Sequence, residues 1–124
     1  MSQFPGPATN QPISSEWTST CGATPLASTT AVAIKAAAGA GLRNYLVGLQ
    51  LDAHSGNSVI QILDDSTTVL FTITVGASGG SSAAAAGFYY FPTPIRSSAN
   101  TALSIKSSDA TTSVYWNAQG YVAP

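Results

Sequence analysis

Apolar residues return at every second position in several short stretches, and that period restricts most of the chain to β structure. Across 43–52, Tyr45, Val47, Leu49 and Leu51 alternate with Gly48, Gln50 and Asp52. Across 68–75, Val69, Phe71, Ile73 and Val75 face one way, and Thr68, Thr72 and Thr74 the other. Across 113–122, Val114, Trp116 and Ala118 oppose Tyr115, Asn117, Gln119 and Tyr121. Shorter segments fit the same scheme: Val32 and Ile34 in TTAVAIKA, VIQIL at 59–63, and Leu103 with Ile105 in 101–107. Turn-forming residues separate them, notably Gly56-Asn57, DDST at 64–67, Ser98-Ala99-Asn100 and 109–112. About eight short strands joined by such turns predict an antiparallel β-sandwich or jelly roll. Nothing alternates strand with helix, so a parallel βαβ architecture is not expected. Ala83–Ala86 has high helix propensity but is too short to nucleate a helix alone.

The segments outside this pattern set the expected organisation. Residues 1–12 contain Pro5, Pro7 and Pro12, which lack an amide donor and have a fixed φ. An extended arm is expected there, with Phe4 as its large apolar group, ahead of one β-sandwich domain over 13–124. Within that domain, 13–25 reads as an edge strand or irregular cover carrying Ile13, Trp17 and Cys21. The run FYYF, 88–91, is a strand bent by Pro92 and Pro94, with a short strand over 95–97 after it. A strand must put two of those four rings on each face.

Composition narrows the function. Only 7% of the 124 residues are charged, and the net charge is −1. The nine charges are scattered, apart from Asp64-Asp65, so no basic stripe exists to drive nucleic-acid binding by counterion release. The charge balance gives no attraction to an anionic membrane, and no apolar run has the ~20 residues of a helical span. Ala, Ser and Thr together make up 51 positions. A surface of such residues loses little side-chain entropy on contact, which suits a permanent assembly partner. The lone Cys21 excludes an internal disulfide and is expected to pack as a small apolar residue. No signal-like segment opens the sequence, so synthesis in a host cytoplasm is expected.

Motifs for chemistry are weak. Gly76-Ala77-Ser78-Gly79-Gly80 fits G-x-S-x-G, but a nucleophile elbow needs a helix after it, then an acid and a histidine later in the chain. The single histidine, His54, precedes Ser78. His54 with Asp52 reads as a polar hairpin end, because no second His or Cys completes a metal set. Asp64-Asp65 reads as a turn in which Asp caps its own backbone. Glu16 and Asp109 are isolated acids. The expectation is therefore no enzyme, no catalytic residue, no metal and no cofactor. Spare aromatics are the better signal, because exposed rings favour an interface or a sugar-stacking platform. The candidate interface residues are Phe4, Pro5, Pro7 and Pro12 on the arm, with Tyr89, Tyr90, Tyr115 and Tyr121 on the strands.

RNYLVGLQL (43–51), TTVLFTITV (67–75), TALSIKSS (101–108) and VYWNAQGYVA (114–123) resemble capsid decoration, or cement, proteins of tailed bacteriophages. The resemblance implies a jelly-roll or related β-sandwich body. It also implies a homotrimer on the outer surface of the virion, with the major capsid protein as partner and shell stabilisation as the task. No catalytic residues come with it. The alternative expectation is a receptor- or glycan-binding module of a phage tail or fibre.

Overall fold

The alternating stretches form eight strands in a computed structural model, which describes residues 15–27, 29–53, 57–76, 85–108 and 113–124. They are β1 (Glu16–Thr20), β2 (Val32–Lys35), β3 (Arg43–Ala53), β4 (Asn57–Asp64), β5 (Thr68–Gly76), β6 (Ala85–Arg96), β7 (Leu103–Ser107) and β8 (Val114–Ala123). The expected all-β sandwich is what the chain adopts: two antiparallel four-stranded sheets, in the orders β1-β8-β3-β6 and β2-β7-β4-β5. The pairs nest, β4 with β5, β3 with β6, β2 with β7 and β1 with β8. One long hairpin closed at the β4–β5 turn and rolled into two layers gives this order, which is the winding of a jelly roll.

Between the layers lies the apolar core. Leu46, Leu49 and Leu51 of β3, Ile60 and Ile62 of β4, and Leu103 and Ile105 of β7 are all fully buried. Trp17, Phe91, Val114 and Trp116 belong to the same cluster. Burial of each aliphatic side chain of this size is worth about 1.5–3 kcal/mol relative to exposure, which makes this stack the main source of cohesion. Leu103 and Ile105 of β7 point inward, and the face that alternation gives to Val114, Trp116 and Ala118 is the buried one.

The phase of β3 differs from the simple alternation. One residue step on β8, Gln119 to Gly120, spans two on β3, Gly48 to Leu46. Val47 is the extra residue of a bulge, so the alternation reverses across it. Leu49 and Leu51 point inward, but N-terminal to the bulge Leu46 is buried in place of Tyr45 and Val47. A similar slip occurs on β5, where Leu63 pairs with Val69 and Ile62 with Phe71. Leu70 then packs on the core, while Val69 is exposed. β6 absorbs both prolines without ending. Its ladder with β3 passes from Tyr90 to Ile95 opposite the Val47 bulge, leaving 91–94 unpaired, where a missing amide donor does no harm. The separate strand expected over 95–97 is the end of β6.

Polar groups tie the loops to the sandwich. Asn44 is fully buried and its Nδ2 donates to the carbonyls of Ala36 (2.8 Å) and Thr101 (3.3 Å). Ser97 reinforces the site: the Asn44 amide donates to Ser97 Oγ at 3.0 Å, and the Ser97 amide to the Asn44 carbonyl at 2.9 Å. At one edge Ser19 Oγ on β1 donates to the Ile34 carbonyl on β2 at 2.6 Å, linking the two sheets. Asp64 departs from its expected role of capping its own turn. Its carboxylate accepts from the Ser98 amide at 3.0 Å and from Ser98 Oγ at 2.5 Å. The turn is made instead by Asp65 at φ 63°, a left-handed position that Asp tolerates.

Candidate functional site

The outer face of the β1-β8-β3-β6 sheet collects the side chains with most to offer a ligand, and the register says which they are. Residues paired across antiparallel strands share a face. One row runs Thr20, Asn117, Gln50, Phe88; the next runs Thr18, Gln119, Gly48, Tyr90. Beyond the bulge a third row runs Glu16, Tyr121, Tyr45, Arg96. These three rows are made of amides, hydroxyls and rings, with one acid and one base at opposite ends of the third, and Asp52, paired with Tyr115, adds a second acid in the row beyond Gln50.

A depression of about 350 Å³ opens in the first two rows. Gly48 forms its floor, and Gln50, Asn117 and Gln119 supply its amides. Thr18, Thr20 and Phe88 are also in the lining, with Ser19 and Ala118. A Cβ on Gly48 would sit 3.0 Å from Gln119 Nε2 and 3.2 Å from Phe88 Cζ. The Phe88 ring therefore leans over the glycine, with 61% of the residue exposed, and Tyr90 beside it is 64% exposed. Asn117 Nδ2 donates to Gln50 Oε1 at 3.3 Å, which orients both amides. A second depression of about 490 Å³, lined by Glu16, Val47 and Tyr121 among others, shares Thr18 and Gln119 with the first. Tyr121 stacks on Tyr45, with ring centroids 4.8 Å apart and planes 5° from parallel. Thr18 and Gln119 border both hollows, so the two adjoin along the strands as one trough, the first reaching from β1 to Phe88 on β6 and the second lying over β1, β8 and β3 with Tyr121 in its wall.

A third hollow, of about 490 Å³, lies at the β2 edge of the sandwich and is more apolar. Cys21, Pro25, Leu26, Val32 and Trp116 line it. Cys21 is partly buried there, and its Sγ accepts from the Trp116 amide at 3.4 Å. At the opposite edge of the same sheet, β5 exposes Val69 and Phe71, and the Phe71 ring packs edge-on against Phe91 at 5.1 Å.

Of the candidate interface residues, Tyr90 stands exposed on the trough face, and Tyr115 and Tyr121 are half-buried on it. Tyr89 points the other way: it pairs with Leu49 and packs against the core, so Phe88 is the ring presented instead. Phe4, Pro5, Pro7 and Pro12 lie outside the described residues, as do His54, Ser78 and Asp109. Asp52 lies on β3 in the row of Tyr115, away from Asp64 and Asp65 at the β4–β5 turn. Among the described residues, no three His, Cys, Asp or Glu side chains gather as a metal ion would require. Alternation sets Gly48 and Gln50 opposite the apolar positions of their strand without making them a site, and it gives no sign of Thr18, Thr20 or Phe88. The parity of FYYF narrows Phe88 and Tyr90 to one face, but the pairing with β3 decides which face is outward.

Compared with models of protein families and with curated proteins, the chain matches none.

Proposed function

We propose that the chain is a non-enzymatic structural protein of a virion, a decoration or cement protein. In this reading it seats as a homotrimer on the outer capsid surface and holds neighbouring major capsid protein subunits together. The observation that carries the reading is the distribution of apolar surface at the sandwich edges. Val32 is exposed beside an apolar hollow at the β2 edge, while Val69 and Phe71 are exposed at the β5 edge. A projecting apolar edge on one copy and a hollow on the opposite edge of the next favour a head-to-tail contact, which closes into a ring when the rotation allows. Edge strands with unpaired backbone groups add to that tendency. With only 7% of residues charged, little electrostatic desolvation opposes such contacts. The phrases at 43–51, 67–75, 101–108 and 114–123, which resemble cement proteins, support the choice of a capsid as the larger partner. A protein that binds only the assembled shell stabilises that shell by mass action.

Light scattering on the purified protein at micromolar concentration is expected to return a trimer mass, and a monomer mass would remove the ring. Co-sedimentation with empty capsid shells is expected to saturate at a fixed number of copies per shell. Absence of co-sedimentation would overturn the cement role. Deleting Ser2–Pro12 is expected to leave the circular dichroism spectrum unchanged and to weaken shell attachment.

A further inference from the structure

We propose that the trough on the outer face of the β1-β8-β3-β6 sheet is a binding site for a neutral polysaccharide. The argument is one of matching chemistry. A sugar ring carries a face of C–H bonds and a rim of hydroxyls, so it needs an aromatic plane to lie on and neutral partners that both donate and accept. Phe88 and Tyr90, two residues apart on β6, offer adjacent exposed rings on one face. Gln50, Asn117 and Gln119 lie in the same two rows, and each amide brings a carbonyl acceptor and two N–H donors. The Asn117–Gln50 hydrogen bond fixes two of these amides before any ligand arrives, which lowers the ordering entropy on binding.

The lining also argues against a protein occupant. The centre of a protein interface is more apolar than the surface around it, whereas this hollow is ringed by three amides and two threonine hydroxyls. Each would lose water under an apolar partner, and each unmatched group would weaken the complex. A polyhydroxylated chain satisfies them one after another. Among the described residues the first hollow is lined by neutral side chains, which suits a neutral sugar better than an acidic one. Glu16, in the second hollow, disfavours a uronate or sialate further.

The shape favours a chain over a single sugar. The first hollow alone runs across all four strands, from Phe88 on β6 past Gln50 and Asn117 to Thr18 and Thr20 on β1. Three inter-strand steps of about 4.8 Å give a track of about 14 Å, long enough for a short run of sugar units. Gly48 lets the Gln119 and Phe88 side chains settle low over the middle of the track, because even a methyl group there would press on both.

This site is separate from the β2 and β5 edges, so its test does not depend on the shell. The experiment is affinity electrophoresis of the full chain in gels containing dextran, galactan, mannan or polygalacturonate. Retardation by at least one of the three neutral polymers, with none by polygalacturonate, is expected. Phe88→Ala and Gln119→Ala should each weaken the retardation at least tenfold while leaving the melting temperature within a few degrees of the parent. Thr72→Ala, on the exposed face of the other sheet, should leave it unchanged. No retardation by any of the three neutral polymers overturns the proposal, and so does retardation that survives Phe88→Ala. If Phe88→Ala abolishes shell co-sedimentation and no polymer binds, the trough belongs to a protein partner and the sugar site is refuted.

Discussion

Gly120 stands where a neighbouring backbone and an indole converge. A Cβ there would lie 1.8 Å from the Tyr45 carbonyl oxygen and 2.6 Å from Trp17 Cζ2. No rotamer change relieves a clash with a carbonyl, so β8 must move away from β3 to accept even alanine. Gly120→Ala is expected to lower stability by about 3 kcal/mol, at the top of the usual range for overpacking, as read from urea midpoints. A loss below ~1 kcal/mol would show that the β3 bulge can slide. Asn44 works in the opposite sense, as a group whose removal strands others. Asn44→Ala leaves the Ala36 and Thr101 carbonyls without their donor and should lose about 2–3 kcal/mol by the same measurement. At the β4–β5 turn, Asp65 is held at φ 63°. Asp65→Gly should relieve that strain and be neutral or raise stability by about 0.5–1 kcal/mol.

Elements differ in how well they are secured. β3 and β8 are paired on both sides, as are β7 and β4, while β1, β6, β2 and β5 are edges. Amide hydrogen exchange should therefore be slowest in β3 and β8 and fastest in the short edges β1 and β2. Faster exchange in β8 than in β1 would contradict the strand order. These same elements show what the sequence reveals and what it hides. β7 and β8 were legible because their alternation is uninterrupted and their inward residues are large or flanked by polar ones. The N-terminal half of β3 was not, because Tyr45, Leu46 and Val47 are all apolar and a bulge leaves no mark in a run without polar punctuation. The prolines of β6 suggest a break because proline usually ends a ladder, yet both fall in the unpaired stretch opposite the bulge. The trough was half-legible: an aromatic cluster announces itself, but Thr18 and Gly48 acquire meaning only once β1, β8 and β3 lie side by side.

Among the described residues, cohesion comes from a packed apolar layer and from hydrogen bonds that are mostly neutral, those of Arg43 and Asp64 to Ser97 and Ser98 being charged. With four basic and five acidic residues among 124, screening has little to act on. The melting temperature is expected to shift by no more than about 2 °C between 50 and 500 mM NaCl. The same change should leave binding in the trough nearly constant, since no ion is exchanged there. A steep salt dependence of either would mean that the scattered charges act together. The nested strand order also carries a consequence for biosynthesis. Glu16 pairs with Tyr121, so the first of the described strands waits for a partner made about a hundred residues later. At a translation rate of about 5–20 residues per second, that delay is roughly 5–20 s. For that interval Trp17 is without the β8 neighbours it has in the finished fold, a window in which a chaperone or a sister chain can reach it before its own C-terminal strand does.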